Sequence, residues 1–127
     1  CALAGARLCT GEEWALACGG PAGDPFPYGA AFDEDACNGG GHDAEPGRPG
    51  DQDAVLACGS LATCARAGVF DLSGNLKEWT SDTRDRLRVV RGGSYETNVA
   101  AGLACAQEND LKDPTLRHPG IGFRCCR

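Results

Sequence analysis

The chain has no methionine and only two tryptophans, two tyrosines, four phenylalanines and two histidines. So few bulky side chains cannot hold a domain together by apolar burial alone, which points to covalent or metal cross-links. No run of about 18 apolar residues occurs, so no segment reads as a membrane-crossing helix. Basic residues are also in deficit. Twelve Lys and Arg against eighteen Asp and Glu leave a formal net charge of −6, which removes the cationic face that nucleic acid or an anionic membrane surface requires. There is no G-x-S-x-G elbow, no phosphate-binding loop and no C-x-x-C pair. With only His42 and His118 available, a histidine-based iron triad cannot be assembled; both read as solvated loop residues.

What the chain has in quantity is glycine (19), proline (7) and cysteine (9). Glycine and proline at this level predict many turns and little regular structure. Nine irregularly spaced cysteines without metal-ligand spacing predict disulfides formed in an oxidising compartment. The odd number leaves at least one thiol free or with its partner elsewhere. A length of 127 residues suits one domain. The segment Cys1–Gly5 is too short for the apolar part of a signal peptide, so an export signal is expected either to have been removed or to lie in preceding sequence.

Residues 1–5 read as the end of a helix, with Gly5 just past its C-cap. Thr10-Gly11-Glu12-Glu13 forms a capping box that predicts a helix over 11–18, with Trp14 and Cys18 on one face. Residues 20–53, rich in Pro, Gly and Asp, read as a long loop pinned by Cys37 and by Phe26, Tyr28 and Phe32 as isolated anchors. Strands are expected at 68–72, before a Ser73-Gly74-Asn75 turn, at 87–93, and at 122–126. No internal repeat is present.

Four blocks in order then carry a resemblance: Ala4-Gly5-Ala6-Arg7-Leu8 running to Glu13-Trp14; Asp71-Leu72-Ser73-Gly74-Asn75-Leu76-Lys77-Glu78-Trp79; Arg88-Val89-Val90-Arg91-Gly92-Gly93-Ser94-Tyr95; and Gly122-Phe123-Arg124-Cys125. Together they resemble the formylglycine-generating-enzyme (sulfatase-modifying factor) superfamily. That resemblance implies an α+β, irregular, loop-rich fold related to C-type lectins, with short strands, few helices and several disulfides. The family domain normally begins before the first of these blocks, so residues 1–127 are expected to be the C-terminal part of a single domain.

The resemblance also implies particular sites. A calcium ion would be held by Asp71, Gly74, Leu76 and Glu78, through two side chains and two backbone oxygens; hard cations favour such oxygen sets. A looser second site would comprise Asn38, Gly39, Asp51 and Asp53. Capping of turns beside Trp79, or solvated loop carboxylates, are the alternatives at these positions. Carried over from the family, the disulfides would be Cys1–Cys125 and Cys18–Cys105. Cys9 and Cys126, neighbours of the first pair, would join each other. Cys37–Cys64 is preferred for the remainder, with Cys58–Cys64 the alternative and Cys58 otherwise the odd thiol.

Catalysis in this family needs a copper-binding cysteine pair following G-G-S-[WY] in the pattern x-C-x-x-x-x-C. Those positions here hold Thr97 and Gly102, and neither offers the sulfur that Cu(I) prefers. No copper is therefore expected. Cys58 has no basic neighbour to make it a nucleophile. The expectation is a non-catalytic binding or structural module, secreted or in the cell envelope, stabilised by disulfides and calcium. The segment Glu96–Asn109 together with 110–118 would form its ligand face, with Tyr95, Glu96, Asn98, Gln107, Glu108 and Asn109 as the polar and aromatic candidates. Its partners would be a protein or glycan, other subunits of an extracellular assembly, or the preceding part of its own domain; nucleic acid and membrane insertion are not expected. Two alternatives remain: a structural subunit of a surface filament or matrix, and an enzyme whose catalytic residues lie upstream.

Overall fold

A computed structural model describes residues 1–43 and 53–127. The chain opens on a single 3₁₀ turn, Ala2–Ala4, halted by Gly5 in the left-handed region at φ 64°. A two-residue strand β1 (Arg7–Leu8) then pairs antiparallel with the last strand, β8 (Cys125–Cys126), so the two ends of the chain lie side by side. Disulfides Cys1–Cys125 and Cys9–Cys126 fasten that junction.

Helix α1 covers Gly11–Gly19 and begins on the reciprocal cap written into its sequence. The Thr10 hydroxyl accepts from the Glu13 amide, and the Glu13 carboxylate accepts from the Thr10 amide at 2.9 Å. Arg7 donates to both carboxylate oxygens of Glu13 at 2.7 Å. These contacts, that of Arg7 foremost and then the Thr10 amide, lower the Glu13 carboxyl to about 2. A folded-state value below the unfolded one contributes stability above the ordinary carboxylate range, and that contribution disappears as pH falls through about 2. Thermal melts between pH 5 and pH 2 should therefore show an acid-side loss that Glu13→Gln reduces, the remainder belonging to the other carboxyls held low; equal slopes for both proteins would rule out the cap as a source of that loss.

The main sheet has four strands in the order β6 (Asp110–Lys112), β5 (Leu87–Arg91), β4 (Lys77–Arg84), β7 (Ile121–Phe123). β4–β5 and β5–β6 are antiparallel, whereas β4–β7 is parallel and sets Glu78 opposite Gly122. A hairpin of β2 (Ala65–Arg66) and β3 (Val69–Phe70) and a one-turn helix α2 (Ala100–Leu103) complete the regular structure of the described residues.

α1 packs Trp14 and Cys18 against Leu72 and Cys105 to form the core, while Val89 and Val90 of β5 are buried in the sheet. Gly92, at φ 90°, passes so close to Trp14 that a Cβ there would lie 3.0 Å from the indole Cζ2. The Cys18–Cys105 disulfide crosses the core and joins residues 87 apart in sequence. On the loop-entropy model such a link stabilises by about 4–5 kcal/mol before strain. Cys37–Cys64 ties the long loop to the turn before β2, and Cys58 is free and exposed. The loop aromatics are not the isolated anchors expected of them. Phe26 stacks on Tyr28 with centroids 5.3 Å apart and tilts against Phe32 at 5.5 Å, so they form a cluster of their own.

Candidate functional site

Asp71, Gly74 and Asn75 have φ of 58°, 77° and 60°, and these left-handed residues fold the chain tightly between β3 and β4. Asn75 is the fulcrum. Its side chain exchanges hydrogen bonds with the Leu56 backbone and accepts from the Asn38 amide, which also donates to the Ala54 carbonyl. Asn38 is thus buried as a strut between loops. Gly39 is buried beside it, Asp53 is exposed on the loop, and Asp51 lies outside the described residues. His42, expected to be solvated, is mostly covered, with its Nδ1 3.9 Å from an Asp35 carboxylate oxygen.

Asp71, Leu76 and Glu78 line a cavity of about 440 Å³ together with Cys58, Phe70 and Arg124. Glu78 is buried and heavily engaged. Arg124 grips both of its oxygens at 2.5 and 2.6 Å, and the Trp14 indole donates to it at 2.7 Å. Arg124 reaches it because Gly122 sits opposite Glu78 and the residue two positions on falls on the same face. Asp71 accepts from the Gly59 amide at 2.8 Å. It also hydrogen-bonds the Cys58 thiol, which, with burial, holds that thiol above its ordinary range and makes it a poor nucleophile.

The donor chemistry here suits a hard cation. The described residues contain no group of three His, Cys, Asp or Glu side chains able to share one ion. An ion at this turn would combine the two carboxylates with backbone oxygens, a ligand mixture that a hard cation accepts and that copper or zinc favours less. Asp71 and Glu78 would supply the charge, Gly74 and Leu76 the carbonyls. Arg124 already neutralises Glu78 and opposes a second cation, which favours weak binding.

The other chemistry lies after β5. Ser94 is buried; its amide donates to the Thr97 hydroxyl at 3.0 Å, and the Thr97 amide donates back to the Ser94 carbonyl at 2.8 Å. Five residues on, Gly102 folds back against this turn, so that a Cβ built on it would stand 2.7 Å from Thr97 Cγ2. Thr97 and Gly102 are therefore side by side in space, one presenting a methyl and a hydroxyl and the other a hydrogen.

Beside this turn opens a polar cavity of about 320 Å³ between the sheet and the segment before β7. Lys77 of β4, Lys112 of β6, Ser94, Glu96, Thr97 and His118 line it. Of the six face candidates, this cavity gathers Glu96. Tyr95 donates its amide to Asn75, and Asn98 is exposed with its backbone against Gly40. Gln107, Glu108 and Asn109 form a separate network. Glu108 meets Arg84 at 2.8 Å and Arg91 at 3.3 Å, Arg84 also donates to Asn109, and Gln107 accepts from the Asn109 amide. The hydrogen bond from Arg84, aided by Arg91, holds the Glu108 carboxyl below its usual range. Lys77 and Lys112 carried no local sequence signal, because neither segment reads as a strand and an isolated lysine reads as solvated surface.

Compared with known proteins, residues 1–127 match the model of the "Sulfatase-modifying factor enzyme 1-like domain" family along their whole length. Two curated proteins, each called "Inactive C-alpha-formylglycine-generating enzyme 2", from Mus musculus and Bos taurus, are 31% identical over 142 residues. The alignment covers 98% of this chain but 44% and 45% of theirs, so the chain spans under half the length of these relatives. Among solved structures, Treponema denticola variable protein 1 superposes with a TM-score of 0.76 at 22% identity, over 93% of this chain and 46% of its own. The crystal structure of CarF gives 0.68 at 24%, over 94% and 46%. These two structures bear on the fold alone, which is the loop-rich, C-type-lectin-like architecture described above.

Proposed function

The chain belongs to the sulfatase-modifying factor enzyme 1-like domain family, and on that premise we propose that it works as a non-catalytic binding module of an extracellular or cell-envelope space. The observation that carries this reading is the contact between Thr97 and Gly102. They stand where the family resemblance puts two copper thiolates, and they bring together a methyl group and a hydrogen where two sulfurs would be needed. The mouse and bovine relatives carry the word inactive in their names, which supports the same reading. Four disulfides suit an oxidising surround. The test is direct: the chain, supplied with Cu(I), oxygen and a cysteine-containing peptide, should leave the thiol unconverted by mass spectrometry. Conversion to an aldehyde would overturn the proposal.

Calcium bound through Asp71, Gly74, Leu76 and Glu78 belongs to this reading as a stabiliser of the turn. Because Arg124 competes for Glu78, affinity should fall in the range of about 10⁻⁴ to 10⁻³ M found in extracellular modules. Calcium at about ten times the dissociation constant should then stabilise the fold by about 1.4 kcal/mol; Asp71→Asn, which keeps an oxygen ligand, should reduce that gain and Asp71→Ala should remove it. Calorimetric melts that do not move with calcium would eliminate the site.

A second reading, a subunit of a surface assembly, draws support from Cys58, which is exposed and free. A disulfide-linked dimer on non-reducing gels, lost in Cys58→Ser, would favour it; a monomer throughout would favour the binding module.

A further inference from the structure

The polar cavity beside Thr97 has a charge arrangement that the family resemblance does not account for. Lys77 comes from β4 and Lys112 from β6, two strands separated by β5, yet both ammonium groups converge on one carboxylate. Lys77 Nζ lies 2.6 Å and Lys112 Nζ 2.5 Å from the two oxygens of Asp110. Burial raises the Asp110 carboxyl, but the hydrogen bonds and charges of Lys112 and Lys77 outweigh it and hold the group below its usual range. Asp110 is thus anionic at neutral pH, and one negative charge faces two positive ones. The Lys77–Lys112–Asp110 cluster keeps one net positive charge on its side of the cavity, and Glu96 across the same lining balances it, so the cavity is dipolar rather than cationic. Both lysines are only partly exposed, at 26% and 31% of their side-chain surface, so solvent screens that excess less than it would on an open face. Their shared tether to Asp110 also removes much of the rotamer freedom a lysine must otherwise give up on binding an anion.

The rest of the lining supplies complementary groups. Glu96 is an acceptor within the same cavity, and Ser94 and Thr97 bring hydroxyls. His118 accepts the Gly120 amide on Nδ1 at 3.0 Å, which leaves its ring proton on Nε2 as a donor. Leu116 and Ile121 are the apolar side chains of the lining. A volume of about 320 Å³ lies at the small end of ligand sites, the size of one sugar ring or one amino-acid residue. Resting on the binding-module reading, we propose that this cavity takes the carboxylate of a small polar ligand, with Lys77 and Lys112 on the carboxylate and Glu96 on the hydroxyl or ammonium groups beside it. A sugar acid and the C-terminal carboxylate of a peptide share that chemistry.

The bland account of the same residues is a cross-strand bridge that holds β4, β5 and β6 together, and the two accounts separate in solution. Amide chemical shifts of the isotope-labelled chain would be followed during titration with glucuronate, with glucose, with an acetylated dipeptide acid and with its amide. The expected result is saturable shifts at Ser94, Thr97, Lys112 and Gly120 with at least one of the two acids, and none with glucose or the amide. Which acid saturates identifies the source of the carboxylate. Lys77→Met and Lys112→Met should each weaken binding about tenfold or more, since each removes a charge-assisted hydrogen bond; Lys77→Arg, which keeps the charge, should largely retain it. Should either methionine variant fail to fold, the arginine variant and the acid-against-amide comparison still decide. Equal binding of neutral and charged probes, or methionine variants that bind as the parent does, would overturn this proposal while leaving the binding module standing. Absence of binding by either acid overturns it as well. Peptide oxidation in the copper assay, or a Cys58-linked dimer on non-reducing gels, would instead count against the function on which it rests.

Discussion

Replacing Glu78 with alanine should lower the stability of the folded chain by about 3–5 kcal/mol, the range for stripping one partner from a buried ion pair. The loss has two sources. Arg124, with 23% of its side chain exposed, would be left as a largely buried cation whose remaining hydrogen bond among the described residues goes to the Phe70 carbonyl. The Trp14 indole, buried in the core, would lose its acceptor, and an unsatisfied buried donor costs about 1–3 kcal/mol by itself. Glu78→Gln keeps an acceptor for the indole and should fall between the parent and the alanine variant. Arg124→Met should resemble Glu78→Ala, whereas the double variant Glu78→Leu/Arg124→Met should recover the ion-pair part of the loss, because a pair replaced by well-packed apolar groups is often nearly neutral, and should keep the cost of the Trp14 indole left without its acceptor. Equilibrium urea unfolding with the disulfides intact measures them all. With Glu78→Leu as the matching single variant, strictly additive single and double costs would mean that the pair is not coupled and that Glu78 acts elsewhere.

The second large effect is a gain of metal binding. Thr97→Cys combined with Gly102→Cys should give a chain that takes up about one equivalent of Cu(I) at this turn where the parent is expected to take up none, because two soft thiolates would then lie side by side. The order of substitution matters. A Cβ on Gly102 would stand 2.7 Å from Thr97 Cγ2, so Gly102→Cys alone should cost stability, and exchanging threonine for unbranched cysteine should relieve the crowding. Competition with a Cu(I) chelator under reducing conditions reads the outcome. Equal copper uptake by the parent and the double variant, or none by the double variant, would mean that the two positions are not the remnant of a thiolate pair.

How much of this was legible in the sequence depended on whether the signal was local. α1 was legible because Thr10 and Glu13 cap each other within one turn. β5 was legible because Val89 and Val90 are β-branched and end at two glycines. β4, the longest strand, was not read as one. Its inward residues are Glu78 and Thr80, polar groups satisfied by Arg124, Trp14 and the Val89 carbonyl, so the alternation of apolar and polar residues that marks a strand is missing. The expected helix end at residues 1–5 is a single 3₁₀ turn, though Gly5 does stop it in the left-handed conformation.

The site divides in the same way. Thr97 and Gly102 were found because a motif fixes their spacing, and Glu96 because it follows that motif. Lys77 and Lys112 meet only through the order β6-β5-β4 of the sheet, and nothing within a few residues of either lysine announces the other. Gln107, Glu108 and Asn109 read as a free polar surface, yet they are tied to Arg84 and Arg91, partners that precede them by many residues.

The account depends on sulfur serving as cross-link rather than as catalyst. Mass spectrometry of a non-reduced proteolytic digest tests this most directly. The linked peptides should be Cys1–Cys125, Cys9–Cys126, Cys18–Cys105 and Cys37–Cys64, with Cys58 alone open to alkylation; a chain recovered with most of its cysteines alkylated, or bound to copper, would contradict it.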